Sequence, residues 1–253
     1  VHGINLETDG RFPRAPEPLP ENLGELGRLV RDTGADIGLA VDPDVDRLAL
    51  VDERGEPIGE DYTLAFAVHA VLAAATGDAP PTVVVNLSTS LVVEDAARAY
   101  GARFIRAPVG EANVARAMRD EGALIGGEGN GGVMLPALHI GRDAPLGVAL
   151  ILHHLAASSR RVSELVTAQP RYSIVKAKAG RGPELRPLYD ALRRRFADAA
   201  ADERDGLRLA WTDRWLHVRP SGTEPIVRLI AEAPTRADAE SLVAAARSLL
   251  NQE

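Results

Sequence analysis

Apolar residues along this chain recur in two rhythms, and the order of those rhythms predicts its elements. The proline-rich stretch RFPRAPEPLPENL (residues 11–23) shows neither and is expected to run extended over a surface. LGELGRLVRDTG then carries apolar positions at helical spacing and stops at Gly34. ADIGLAVD reads as a buried strand and LALVDERG as a second one, closed by a polar turn from Glu53 to Gly55. Tyr62 to Ala75 is continuous helix. PTVVVNL (strand), STSLVVEDAARAYG (helix), ARFIRAPV (strand), GEANVARAMRDEG (helix) and ALIGGEGNG (strand into a glycine-rich loop) follow in turn, and LGVALILHHLAASS adds a helix. Strands alternating with helices predict an α/β domain with a mixed, largely parallel sheet. Beyond RVSELVTAQP the texture changes. YSIVKAKA is a strand, PELRPLYDALRRRFADAAA a long basic-faced helix, LRLAWT, RWLHVRP and IVRLIAEA short strands, and ADAESLVAAARSLL a final helix, which together predict an α+β unit with antiparallel strands. Boundaries near residues 57 and 169 divide the chain into 1–57, 58–169 and 170–253.

Composition narrows the picture without deciding it. A chain of 253 residues with 45% hydrophobic content has material for roughly two domains with real cores. The formal net charge of −7 argues against nucleic acid or an anionic membrane as partner of the whole surface. With no cysteine there are no disulfides or thiolate metal sites, which fits a cytoplasmic protein. No apolar run reaches the roughly 18 residues of a membrane span, and the N-terminus has no basic region followed by an apolar core. It also lacks an initiator Met, so the chain is expected to begin partway through a gene product.

Three loops carry candidate chemistry. In VDPDVDRLAL, Asp42, Asp44 and Asp46 alternate at a strand end and Arg47 follows them. Three converging carboxylates repel one another unless a cation neutralises them, and a hard, oxygen-seeking ion such as Mg²⁺ suits them best. The alternative is a solvated acidic turn. An EF-hand loop would place Glu53 at its twelfth position, but Arg47 stands at the sixth, where glycine is needed. In GGEGNGG (126–132) the glycines allow close backbone approach to a ligand, while Glu128 and Asn130 suit neighbouring sugar hydroxyls; the alternative is a flexible turn. In RPSGTEPIVR (219–228) two arginines bracket a Ser-Gly-Thr turn whose hydroxyls and N–H groups can ring a dianionic phosphate, against the alternative that Ser221 and Thr223 only satisfy turn backbone. No GKS or GKT triplet makes it a Walker loop.

Lesser candidates have simpler explanations. NLSTS (86–90) lacks a GxSxG elbow and reads as a helix cap. Arg142 and Asp143, just before a helix, read as a solvated cation and a cap. The six histidines show no metal-binding spacing and read as structural.

In this order the three loops resemble those of the α-D-phosphohexomutase family, which includes phosphoglucomutase, phosphomannomutase and phosphoglucosamine mutase. DPDVDR resembles the family's DGDGDR-type metal loop, GEGNGG its GExSGH-type sugar loop, and RPSGTEPIVR its RxSGTEPxxR phosphate loop. The resemblance implies an α/β fold made of a truncated second domain over 1–57, a complete sugar-recognition domain over 58–169 and an α+β phosphate-binding domain over 170–253, arranged around a cleft. It implies Mg²⁺ on Asp42, Asp44 and Asp46, Arg47 reaching toward the same phosphoryl group, and Glu128 with Asn130 at the sugar. Arg219, Ser221, Gly222, Thr223 and Arg228 would grip the phosphate that is not transferred. The implied substrate is a hexose 1- or 6-phosphate passing through a bisphosphate. Asn130 and Gly132 stand where many relatives have Ser and His, which leaves the hexose open.

No segment resembles the family's TASHNP-like serine loop, so the nucleophilic serine is expected outside this chain and the chain is expected to be inactive alone. The rival reading is a non-catalytic sugar-phosphate binding protein. A metal-dependent phosphatase fits less well, because its DxDxT motif wants Thr or Val where Asp46 stands.

Overall fold

Gly34, with φ of 65°, ends the first helix: its N–H bonds the carbonyl of Val30 in the left-handed turn that favours glycine. That helix, α1 (Gly24–Thr33), covers a hairpin of β1 (Gly38–Val41) and β2 (Leu48–Val51), paired antiparallel from Gly38↔Val51 to Val41↔Leu48. Residues 42–47 are therefore a hairpin loop. All four residues of β2 are buried, because its two faces serve two cores. Ala49 and Val51 pack with Leu23, Val30 and Ala40, while Leu48 and Leu50 point the other way, into a cluster with Phe66, Ile151 and Val162.

These are features of a computed structural model, which describes residues 1–7, 9–180, 184–222 and 224–250 and resolves into two compact units, 1–170 and 171–253. In the first unit α2 (Glu60–Ala73) is buried almost all round, as a helix with apolar residues on every face must be. It lies among α3 (Leu91–Arg98), α5 (Ala144–Ser158) and the sheet. The sheet takes the order β4-β3-β5-β6, with β3 (Thr82–Asn86), β4 (Arg103–Ala107), β5 (Ile125–Glu128) and β6 (Gly132–Met134). β3 is parallel to both β4 and β5, and only β6 runs antiparallel, so the sheet is mixed and largely parallel. The unbroken run TVVVN is fully buried, the pattern of a central parallel strand covered on both faces. α4 (Glu111–Glu121) closes one side through Val114 and Met118 against Val84 and Met134. A short helix, α6 (Val162–Thr167), adds Val162 and Leu165 to the separate cluster around Leu48, Leu50 and Phe66. The carboxyl ends of β3, β4 and β5 open into the loops that carry the polar residues of this unit.

The second unit is a five-stranded antiparallel sheet of order β7-β11-β10-β9-β8, made of β7 (Ser173–Gly180), β8 (Ala200–Asp202), β9 (Leu207–Ala210), β10 (Trp215–Pro220) and β11 (Ile226–Ala233). Period-two alternation sends Leu209, Leu216, Val218, Val227, Leu229 and Ala231 to one face, where α7 (Arg186–Arg195) and α8 (Arg236–Leu250) cover them. Residues of the other parity, including Arg208, His217, Arg219 and Arg228, share the opposite face. The long helix expected over 183–201 is shorter in the structure. The chain leaves the helix at Phe196 (φ −120°, ψ 54°), whose ring meets Trp211 edge-on at 5.5 Å, and residues 200–202 pair with β9 as an edge strand. Ladder pairing and an aromatic contact outweigh local helix propensity there. Among the described residues no helix is long and apolar enough to cross a membrane.

His217 has no exposed surface, and burial pushes its imidazole down to about 4. The unfolded chain protonates this group near 6.5, so stability from the neutral ring is full above that pH. It is lost by up to about 1.4 kcal/mol per unit as pH falls toward 4. Both tryptophans lie in the second unit, so their fluorescence should show a urea midpoint that drops between pH 7 and pH 4.5, and His217→Gln should flatten that slope.

Candidate functional site

The hairpin loop at 42–47 is wound around its own first carboxylate. Asp42, 5% exposed, accepts the backbone N–H groups of Asp46 (3.1 Å) and Arg47 (3.0 Å) on Oδ1, and the N–H of Val45 bonds the Asp42 carbonyl at 3.1 Å. This winding forces Val45 to φ of 59°, a left-handed conformation that a β-branched residue adopts only under strain. The strained apex is tied down because its carbonyl accepts the N–H of Ala144 at the start of α5, at 3.1 Å. Ligand atoms of Asp42, Asp44 and Asp46 all lie within 4.8 Å of one another. Arg47 Nε sits 3.3 Å from Asp42 Oδ2 and 3.5 Å from Asp46 Oδ1.

Placing the carboxylates this close splits their proton affinities. Burial pushes Asp46 up to about 6, helped by its hydrogen bond with Asp42 and the charges of Asp42 and Asp44, although Arg142 opposes the shift. Burial also raises Asp42, but the N–H of Arg47, the hydrogen bond from Asp46 and the N–H of Asp46 outweigh it and hold Asp42 below its ordinary value. Of the pair, Asp46 therefore takes up a proton first as pH falls. Its Oδ1 is buried and has no hydrogen-bond partner. An unsatisfied carboxylate oxygen facing two further carboxylates is a donor set for a small, hard cation, and the residues fit Mg²⁺.

The glycine-rich loop is built against this one. The N–H of Leu48, next after Arg47, donates to the carbonyl of Gly131 at 3.1 Å. Gly131 has φ of 87°, and a Cβ there would collide with the backbone of Leu48, so only glycine permits the junction. At Gly129 a Cβ would strike the carboxylate of Asp61, which accepts the Ser90 N–H at 2.9 Å. Glu128, at the end of β5, is only 5% exposed. Its Oε1 accepts from Asn86 Nδ2 (2.9 Å) and the N–H of Gly110 (3.0 Å), and its Oε2 faces Arg142 at 3.2 Å, which leaves Oε2 with spare acceptor capacity. Asn130 Oδ1 accepts the N–H of Gly132 at 3.3 Å.

Arg142 corrects the sequence reading. Expected as a solvated side chain, it is 14% exposed and addresses three carboxylates: Asp46, Glu128 at 3.2 Å and Glu111 at 3.2 Å. Asp143 does cap α5, accepting the N–H of Leu146 at 2.7 Å, and Ser90 caps α3 through the N–H of Val92 at 3.1 Å. Glu111 and Gly110 escaped the sequence reading, which gives Arg142 and Asn86 only as a solvated cation and as part of a helix cap. The four lie on three segments: Asn86 ends β3 and Gly110 with Glu111 follows β4, so the parallel strands deliver these to one edge, whereas Arg142 is held beside β6 by the Asp143 N–H bond to the Val133 carbonyl.

In the second unit Arg219 and Arg228 are direct cross-strand partners, and Lys178 is the partner of Arg228 on its other side. Three cations in one row repel one another, and two carboxylates offset them. Asp205 Oδ2 accepts from Arg219 Nε at 2.9 Å, while Glu224 accepts from Arg228 (3.3 Å) and Lys178 (3.4 Å). The turn between the strands is closed by the Ser221 N–H to the Ile226 carbonyl (2.9 Å), and Ser221 Oγ accepts the Glu224 N–H at 3.3 Å. Gly222 faces open space. Thr223 lies outside the described residues. Arg228 Nε is buried without a hydrogen-bond partner, so the row carries a donor that an anion can satisfy. Lys178 could not be read from the sequence, since strand order alone places it here.

Comparison with known proteins matches three successive domain families along the chain. These are phosphoglucomutase/phosphomannomutase alpha/beta/alpha domain II at residues 1–55, alpha/beta/alpha domain III at 59–172 and the C-terminal domain at 175–249. The "Probable phosphoglucosamine mutase" of Methanopyrus kandleri is 39% identical over 246 residues, covering 96% of this chain and 54% of that protein. The "Phosphoglucomutase/phosphomannomutase" of Thermococcus kodakarensis is 36% identical over 259 residues, covering 100% of this chain and 55% of that protein. The chain thus spans about half the length of the curated relatives it matches. Among solved structures, a phosphoglucomutase/phosphomannomutase family protein of Burkholderia thailandensis superposes with a TM-score of 0.78 at 26% identity, covering 94% of this chain and 51% of that one.

Two outcomes follow from this geometry. Gly131→Ala should destabilise the first unit by about 1–3 kcal/mol and speed amide exchange at Leu48, as read by thermal unfolding and hydrogen exchange. Below about pH 6 a bound Mg²⁺ would have to displace a proton from Asp46, so its affinity should hold above that pH and decline below it. Calorimetry at pH 5 in buffers of different ionisation enthalpy should show close to one proton released per ion, and no proton release would contradict the assigned ligand.

Proposed function

The chain belongs to the phosphoglucomutase/phosphomannomutase family, and on that premise we propose that it supplies the cation, sugar and phosphate loops of a phosphohexomutase interconverting hexose 1- and 6-phosphates through a bisphosphate. One observation carries the reading: the clustered aspartate ligand atoms belong to a loop that is hydrogen-bonded to the glycine-rich loop at Leu48 and Gly131.

Asp42, Asp44 and Asp46 would hold Mg²⁺, and the bound ion would offset charge on the phosphoryl group in transfer. Arg47 is the adjacent fixed cation: its Nε is held against Asp42 and Asp46, and the terminal N–H groups of its guanidinium would reach toward a phosphoryl oxygen. Glu128, through the spare capacity of Oε2, and Asn130 would bond sugar hydroxyls. Arg219, Arg228, Ser221, Gly222 and Thr223 would hold the phosphate that stays on the sugar, with Lys178 adding charge to the same row. The reading requires the phosphoryl-carrying serine to come from outside these 253 residues.

The test separates binding from turnover. Calorimetry with glucosamine 6-phosphate and mannose 6-phosphate should show binding that weakens by about tenfold or more in Arg219→Ala and in Arg228→Ala. A coupled assay with hexose 1-phosphate and a bisphosphate primer should show no turnover by these residues alone. Affinity indifferent to both arginines would remove the phosphate assignment. Turnover by the chain alone would remove the assignment of the serine.

A further inference from the structure

Four loops meet at one guanidinium. Arg142 NH2 pairs with Asp46 Oδ2 of the aspartate loop, NH1 lies 3.2 Å from Glu128 Oε2 at the sugar loop, and Nε lies 3.2 Å from Glu111 Oε2 at the start of α4. We infer that Arg142 is a positioning residue that couples cation binding at the aspartate loop to the setting of Glu128 in the sugar loop. The inference rests on the phosphohexomutase reading of those two loops.

The guanidinium is planar and its three nitrogens each address a different carboxylate, so it cannot turn toward one without loosening its hold on the others. Its path is also fixed. The backbone N–H of Arg142 donates to Glu111 Oε1 at 3.1 Å, and its aliphatic stem crosses Gly132, where an added Cβ would collide with Cδ. This contact accounts for glycine at 132: the backbone there needs no left-handed conformation, but the arginine stem fills the space a side chain would take.

Arg142 and a divalent cation therefore compete for Asp46. With the ion in place, the guanidinium is left to Glu128 and Glu111, and the grip on Glu128 tightens. Without the ion, Arg142 offsets the acidic loop. Opposite consequences follow for two substitutions. Removing Arg142 deletes the competitor, so the aspartates should bind the ion more tightly. Removing the charge of Glu111 deletes the group that draws the guanidinium away from Asp46, so the ion should bind more weakly. A residue that merely props the loops would weaken ion binding when removed.

The experiment is titration calorimetry with Mg²⁺ alone, and with glucosamine 6-phosphate in the presence and absence of saturating Mg²⁺, on the whole chain. In the unsubstituted protein Mg²⁺ should tighten the sugar phosphate by about fivefold or more. Arg142→Met should bind Mg²⁺ about fivefold more tightly and bring the sugar-phosphate ratio below about twofold. Arg142→Lys keeps the charge without the fork and should fail to restore the ratio. Glu111→Gln, at a half-buried side chain on the helix start, should weaken Mg²⁺ binding and decides the matter if Arg142→Met does not fold. Unchanged or weaker Mg²⁺ binding by Arg142→Met, or unchanged or tighter binding by Glu111→Gln, overturns the inference while leaving the family reading intact. If the unsubstituted protein binds neither Mg²⁺ nor the sugar phosphate, the reading of the loops fails and the coupling falls with it.

Discussion

Mutual repulsion among carboxylates is the constraint around which the first unit is organised. Asp42, Asp44, Asp46, Glu111 and Glu128 are contributed by separate segments yet lie within reach of two guanidinium groups. Asp44 is exposed, but burial or partial burial of the other four strengthens their interactions, attractive and repulsive alike. The structure answers with backbone N–H donors to Asp42, a raised proton affinity at Asp46 and the forked cation of Arg142. Each device is partial, and together they leave one buried carboxylate oxygen unsatisfied. The second unit meets the inverse problem, a row of like cations, and answers it with Asp205 and Glu224.

Backbone geometry makes the first arrangement possible. β3, β4 and β5 run parallel, so the loops after them leave from one edge, and the hairpin of β1 and β2 brings the aspartate loop alongside. The approach is close enough that the glycine-rich loop can be made only of residues that add almost nothing beyond backbone at 129, 131 and 132. Leu48 and Leu50 then lock the hairpin into the core shared with Phe66 and Ile151. Packing, rather than the loops themselves, sets the distance between aspartates and glycines.

Much of this was legible in the sequence where a single period governs a segment. α1 with its Gly34 stop, the buried β3 and the alternating β10 and β11 follow from local spacing. Elements decided by long-range pairing were not legible. β8 exists because β9 offers it a ladder, and it shortens the helix before it; β6 is three residues long and carries no pattern of its own. The site divides the same way. The aspartates, Glu128 and the two arginines of the phosphate loop stand in dense local motifs, whereas Arg142, Glu111 and Lys178 gain their meaning only from register and strand order. An isolated arginine before a helix reads as a surface charge until its neighbours from elsewhere in the chain are known.

The left-handed backbone at Val45 has a consequence for how an ion would be captured. A branched side chain at this apex forbids most of the conformations a glycine would sample, and the bond from Ala144 removes much of the remainder. The loop is thus rigid before any ligand arrives, and little disorder is left to be frozen out on association. Discrimination between ions of different radius would then come from a cage that cannot readily shrink or swell, instead of from one that moulds itself to its guest.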